Sequence, residues 1–369
     1  MKPARSNPKN DRVKRDYLVH LKEARQRSAA TVDQVRHAID RLEPYTGFKD
    51  FATFNKEQAL GFKRALLASK AQRSGKPIST ATAHHVLQAI KEFLAWLHGR
   101  PGYRRRIDPT HIAYLNLTTK DERIARVTLP KSYASLEQYR ATLFAMPAGT
   151  DVERRDQAVM ALLLLTGMRD AAAVSLKLKH ISIERRHVFQ DPREVNTKFS
   201  KAIETFFFPV GEDVVAIVND WVRYLTAEKL FSPNDPLFPK TLVRPDGQRA
   251  FAVQGLSREH WADAAPVRAI FKAAFARVEL PYFKPHTVRD TLTQVAYKHG
   301  LSPEGVKAWS QNLGHSNVLT TLQGYGHVSI ERQAEILGQL PRFGETPSKS
   351  DMATDIAAKV AEIMKQYGA

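Results

Sequence analysis

Cysteine is absent from all 369 residues. That excludes disulfide scaffolds, Cys-ligated zinc, iron–sulfur clusters and thiol nucleophiles. Long apolar runs are lacking too. The longest uninterrupted one, Ala158 to Leu165, has eight residues, too few to cross a bilayer. The opening MKPARSNPKNDRVKRD holds no apolar stretch and does not read as a secretory signal. Acidic residues are the scarce charge, 38 Asp+Glu against 56 Lys+Arg, giving a formal net charge of +18. The deficit is local: residues 1–130 carry 26 basic and 12 acidic residues, net +14, and residues 131–369 carry 30 and 26, net +4. An excess of that size in one third of the chain draws a polyanion, nucleic acid before a membrane surface. A cytoplasmic, nucleoid-associated protein is expected, with no membrane partner.

Apolar spacing then divides the chain. Residues 1–11 read as a disordered basic tail. From 12 to about 97 the period is helical: Tyr17, Leu18 and Leu21; Val32, Val35, Ile39 and Leu42; Leu60, Phe62, Leu66 and Leu67; and Val86, Ile90, Phe93, Leu94 and Leu97. Ser79-Thr80 marks the start of the fourth helix. Gly99, Pro101, Gly102 and Pro109 then break the pattern around the cation triplet Arg104, Arg105 and Arg106. The helical domain is expected over 12–125, with a linker near 119–130 that reaches to about 133. A second domain is expected over 134–342. Its short β-rich segments ISIERRHVF, REVNTKF and IETFFFPV predict a small antiparallel sheet. Helices are expected at Val214–Leu225, Ala264–Val278, Thr287–His299, Pro303–Asn312 and Ile330–Leu337. Residues 343–369 read as a polar tether followed by an amphipathic helix with Ile356, Val360 and Ile363 on one face.

Several residues could carry chemistry. KPHTVRD sets His286 and Arg289 three apart, on one face if helical. LGHSNVLTTLQGYGH sets His315 and Tyr325 ten apart. LLLLTGMRD pushes Arg169 out of an apolar run, where a cation is costly without a partner. Lys198 sits at a turn between strand-like segments. Taken singly, each has an ordinary reading: a solvated helix face, an arginine paired with a carboxylate or helix end, a packed tyrosine, an exposed turn lysine.

The ordered set TGMR, NTKFSK, HTVR, LGHS and GYGH resembles the signature of the tyrosine recombinase (phage integrase) family, strongly over about residues 155–335. The resemblance implies a mainly α protein with a small antiparallel β-sheet: an N-terminal all-α core-binding (SAM-like) domain and an α+β tyrosine-recombinase catalytic domain. It implies a catalytic set of Arg169, Lys198, His286, Arg289, His315 and Tyr325, acting without metal, ATP or other cofactor. Tyr325 would be the nucleophile, Arg169 and Arg289 a guanidinium clamp on phosphate oxygens, and His286 an aid to removal of the tyrosine proton. His315 would hydrogen-bond a phosphate oxygen, and Lys198 would protonate the departing 5′-hydroxyl, with Lys201 as competitor. His327 is read as structural. No H-x-x-x-H, Asp pair or cysteine supports a metal site built from His286, His315 and His327.

Two positions depart from the family pattern. The acidic residue common three after the first arginine is Ala172 here, with Asp170 as a candidate substitute, and the histidine common after the second arginine is Asp290. Both bear on how the arginines are oriented. The implied partner is a double-stranded DNA recombination site, with Arg104, Arg105 and Arg106 as candidate backbone contacts. Further implications are a homotetramer on synapsed DNA, joined through the C-terminal helix, and directionality or host accessory factors. The alternatives are a type IB topoisomerase or telomere-resolvase-like enzyme, and a catalytically inactive DNA-binding accessory protein of the same fold.

Overall fold

Helix starts in this chain are written in its small polar residues. Asn7, Ser28, Asn55 and Ser79 each accept a main-chain N–H of the first turn beyond them, which satisfies donors that no helix can pair internally. These caps open α1 (Pro8–Val19), α2 (Ala29–Tyr45), α3 (Lys56–Leu67) and α4 (Thr80–His98). The computed structural model describes residues 6–71, 75–126, 132–245 and 251–315. It divides into two units, Met1–Leu129 and Pro130–Ala369.

In the first unit the expected apolar stripes converge. Ile39, Leu42, Ile90, Phe93, Leu94 and Leu97 are fully buried, with Tyr17 packed between Phe93 and Trp96 at 5.2 and 4.9 Å. Two expectations need correction. The expected disordered tail does not hold for residues 8–11, because a helix begins at Pro8 and Asn10 is buried. Asn10 donates to the Lys49 carbonyl at 3.0 Å and accepts from Phe51 N–H at 3.1 Å, so polar side chains, invisible to an apolar count, tie this end down. The region near 119–130 is not all linker. After the short α5 (Pro109–Ala113), Thr119–Arg126 forms α6, packed on α4, with Asp121 N–H held by the Thr118 hydroxyl at 3.1 Å.

The second unit is organised around α8. The order is α7 (Leu136–Phe144), α8 (Asp151–Thr166), α9 (Asp170–Ala173), strands β1 (Ile181–Ser182), β2 (His187–Gln190) and β3 (Ile203–Phe206), and α10 (Glu212–Arg223). Then come β4 (Pro239–Pro245), β5 (Phe251–His260), α11 (Ala265–Arg277), α12 (Val288–Lys298) and α13 (Pro303–Asn312). Thr150 and Glu153 form a capping box at the start of α8, and every residue from Ala158 to Thr166 is buried. A helix apolar on all sides must be covered on all sides; α10, α11, α12 and α7 do so. The fold is therefore mainly helical with small antiparallel sheets.

The sheet differs from expectation in one strand. β1, β2 and β3 pair in that order, antiparallel, but REVNTKF is not a strand. It belongs to the β2–β3 connection, where the Asp191 carbonyl accepts from Glu194 and Val195 N–H. A second sheet, the β4–β5 hairpin, was not expected from the residue pattern. The expected helix at Ile330–Leu337 and the C-terminal helix lie outside the described residues.

Candidate active site

The T-G-x-R segment forms the sharp end of α8. Gly167 adopts φ +58°, closing the helix in the left-handed region that favours glycine. The Thr166 hydroxyl donates to the Leu162 carbonyl at 2.6 Å and accepts from Met168 N–H at 3.3 Å. Chain direction is thereby reset within three residues, leaving Arg169 half-buried as the N-cap residue of α9. Burial pushes its pKa down.

Arg289 enters from the first turn of α12 and is 6% exposed. Its guanidinium donates to the Gly167 carbonyl and to the Leu313 carbonyl, both at 2.6 Å. One side chain thus joins the T-G-x-R turn to the L-G-H-S turn. Burial, reinforced by the adjacent Arg169 cation, pushes its pKa down to about 10, while Asp290 acts in the opposite direction. The Asp290 departure therefore places a countercharge beside the second arginine, in the first turn of its own helix. Ala172 is buried in the core at 1% exposure and adds no charge. Asp170 is engaged elsewhere: it accepts from Ala171 N–H at 3.0 Å and lies 3.9 Å from Arg268.

His315 follows α13. Gly314, at φ +69°, turns the chain, and His315 N–H reaches back to the Ser310 carbonyl at 3.0 Å. Its pKa is pushed down to about 4, first by burial and then by the charges of Arg289, Arg169 and His286. His286 is exposed on the 3-10 turn Pro285–Thr287 that leads into α12. His315 thus stands within the electric field of three other expected residues, Arg169, His286 and Arg289.

Lys198 and Lys201 are exposed on the β2–β3 connection, with Lys198 opening a single 3-10 turn, Lys198–Ser200. Tyr325 and His327 lie outside the described residues. Arg104, Arg105 and Arg106 are exposed in the first unit, in the turns after α4.

Three features were not read from the sequence. The Leu313 and Gly167 carbonyls that hold Arg289 leave no side-chain signal. His180, which stands in no motif, is buried and fixed: Lys177 N–H donates to its Nδ1 at 3.0 Å, so its Nε2 donates to Glu194 at 2.9 Å. Lys179, His180 and Lys177 hold the Glu194 carboxyl down at about 2. With Asn196 N–H on the Ser175 hydroxyl at 2.9 Å, this cluster anchors the first half of the lysine-bearing connection. The third is Asn312, whose side-chain amide bonds β3.

Chemically, two neighbouring arginine cations suit the corner to an anion. Arg289 directs two donors at carbonyl oxygens, which bear no net charge, and among the described residues Asp290 is the one carboxylate whose charge bears on it beside the Arg169 cation.

The family model of the phage integrase family matches residues 136–332, more than half of the chain. Tyrosine recombinase XerD of Vibrio vulnificus (strain YJ016) is 28% identical over 212 residues, which span 57% of this chain and 61% of that protein. Tyrosine recombinase XerC of Corynebacterium glutamicum is 26% identical over 328 residues, 87% of this chain and 88% of the relative. The Tn1549 transposon integrase in complex with transposon right end DNA superposes with a TM-score of 0.57 at 17% identity, covering 89% of this chain and 99% of that one. A lambda integrase dimer bound to a COC′ core site gives 0.56 at 14% identity, covering 87% and 99%. Those structural likenesses speak to the fold. With the motif order and the converging arginines, the profile match places the chain: it belongs to the phage integrase family, the tyrosine recombinases.

Proposed function

We propose that this protein is a site-specific DNA recombinase that cuts and rejoins DNA through a 3′-phosphotyrosyl intermediate. The observation that carries the reading is the buried Arg289 held beside Arg169, with His315 kept neutral by burial and then by the two cations. A phosphodiester seated there would accept charged hydrogen bonds from both guanidiniums as negative charge grows on its non-bridging oxygens. Preorganised donors of this kind are worth roughly 3–4 kcal/mol each in comparable sites. His315, neutral, adds a hydrogen bond to a phosphate oxygen without adding charge.

In the covalent step the Tyr325 phenol oxygen attacks phosphorus and its proton passes toward His286. The bond from phosphorus to the 5′ oxygen breaks, and Lys198 gives that oxygen a proton, releasing a 5′-hydroxyl. Phenolate is a competent leaving group, so a 5′-hydroxyl from a second duplex can reverse the step and join new strands. Repetition in pairs, on a tetramer bridging two sites, gives a Holliday junction and then recombinants. The first unit, with its net +14, would grip the duplex backbone.

The protein can be made to select its own site. A random-sequence duplex library carrying nicks is incubated with it, and strands that become covalently attached under denaturing conditions are recovered. Wild type is expected to capture a defined sequence, and Tyr325→Phe none. Capture that persists in Tyr325→Phe refutes the nucleophile; no capture by wild type refutes the recombinase. Recombinant products from two captured sites, rather than relaxed plasmid alone, separate it from a topoisomerase.

A further inference from the structure

The second edge of β3 is closed by a side chain. β3 pairs with β2 on one side, with Thr205 opposite Val188 and Phe206 opposite His187. On the other side Asn312, the last residue of α13, donates through Nδ2 to the Phe206 carbonyl at 2.9 Å and accepts from Phe206 N–H through Oδ1 at 2.7 Å. A primary amide offers a donor and an acceptor side by side, as a neighbouring strand would. The Asn312 carbonyl also accepts from the Thr205 hydroxyl at 3.2 Å. At the start of the same strand, Ile203 fills the space where a Cβ on Gly314 would come within 3.1 Å.

These bonds lie at an exposed edge, where water could satisfy Phe206 equally well. Their effect is one of placement. β3 leads directly back to Lys201 and Lys198, whereas α13 leads directly on to Leu313, which holds Arg289, and to His315. The amide is thus a rigid link between the lysine-bearing connection and the arginine–histidine corner.

We propose that Asn312 is a positioning residue for the lysine proton donor: by standing in for a strand on β3, it sets the distance between the lysine loop and the phosphate held at Arg289 and His315. The proposal rests on the recombinase reading and on lysine as the acid for the departing oxygen. Asn312→Ala removes both amide bonds. Asn312→Asp keeps the acceptor for Phe206 N–H and sets a carboxylate oxygen against the Phe206 carbonyl.

The test uses the full chain and the duplex captured by wild type, made in two forms: one ordinary, and one with sulfur as the 5′ bridging atom of the scissile phosphate. Sulfur leaves as a thiolate and needs no proton, so a fault confined to the acid disappears on that substrate. Lys198→Ala supplies the reference pattern. Both Asn312 variants are expected to cleave the ordinary duplex about tenfold more slowly or worse, part of the roughly 10²–10⁴-fold that a placed proton donor supplies. On the sulfur duplex they should run within about twofold of wild type.

Equal losses on both duplexes would overturn the proposal, since that is the pattern of a damaged fold or arginine corner. So would wild-type rates on the ordinary duplex. Thr205→Val, which removes the hydroxyl bond to the Asn312 carbonyl and the longer bond from Gln190 Nε2 at 3.4 Å while leaving both amide bonds in place, guards against poor folding of the other variants and should show the same split more weakly. Absence of any adduct with wild type on either duplex would instead remove the recombinase reading itself, a distinguishable failure.

Discussion

Gly167 shows how much a single residue can hold in place. At φ +58° an L side chain is strained, and a Cβ there would come within 2.7 Å of the Leu313 side chain and 2.8 Å of Leu292. Gly167→Ala should cost about 2 kcal/mol or more, summing left-handed strain and overpacking. It should also slow adduct formation, because the Gly167 carbonyl is one of the two that hold Arg289. Urea denaturation and covalent capture measure the two effects; an alanine variant unchanged in both would show that the turn relaxes freely. His315 supplies a second residue-scale prediction. With its pKa near 4 it stays neutral in the DNA-free protein well below the ordinary histidine value. An imidazole NMR titration should find that midpoint, and Arg289→Gln should raise it by removing the cation that depresses it most. A wild-type midpoint at about the ordinary 6.5 would mean that the corner is neither buried nor cationic.

Among elements, the β2–β3 connection is where sequence and structure part most clearly. The helices α10 to α12 were legible because each buries apolar residues at helical period, and α13 because Ser302 and Pro303 mark its start. REVNTKF looked like a strand by composition, yet Val195 is held in place by contacts of the residue beside it, not by sheet pairing: Glu194 reaches Lys177, Lys179 and His180, which lie in the segment before β1. Such partners have no local signal. The β4–β5 hairpin escaped for a related reason. Its register shifts twice, and Val243 and Val253 face outward as a cross-strand pair, so no clean alternation marks it. What fixes it is Arg155 of α8, buried and bonded to the Pro239 carbonyl and the Thr241 hydroxyl at 3.0 Å each, and to Asp156 at 2.7 Å. Arg155→Leu should destabilise the protein by about 2 kcal/mol, because it leaves the half-buried Asp156 without its cation and the buried Pro239 carbonyl without its donor. Hydrogen exchange should show β4–β5 amides losing protection first; protection kept there would refute the arginine as anchor. Acid acts on the same unit. His180 and His315 have folded pKa values below their unfolded ones. Above about pH 6.5 both are neutral in either state and contribute nothing. Below it the unfolded chain takes up protons that the folded one refuses, so stability falls as pH drops from about 6.5 toward 4. Glu194, held at about 2, continues the loss at lower pH. A thermal melt that is flat across that range would contradict this account.

For the whole molecule the informative quantity is how charge is divided. Residues 1–130 hold +14 of the net +18, while the second unit keeps its arginines 169 and 289 at one corner. The proposed catalytic set was read from five motifs in a fixed order, of which the described residues bring Arg169, Arg289 and His315 together. The proposed gripping surface was legible only as a sum, since a phosphate contact requires a cation at the surface and little else. Arg104, Arg105 and Arg106 turn that sum into a test. All three are exposed, and Arg106 has an acidic neighbour, Asp50 at 3.9 Å, a pairing of small worth at a surface. Each cation that neutralises a phosphate releases counterions, so the logarithm of the binding constant falls against the logarithm of salt with a slope of about −0.9 per contact. Replacing all three by alanine should flatten the slope for duplex DNA by up to about 2.7, with affinity at low salt falling for every sequence tried and the captured sequence unchanged. Arg104→Ala and Arg105→Ala should each account for more of the change than Arg106→Ala, whose guanidinium must first leave Asp50. A slope unchanged in the triple variant would move the grip elsewhere in the first unit, whereas a changed captured sequence would mean that this turn reads bases instead of backbone.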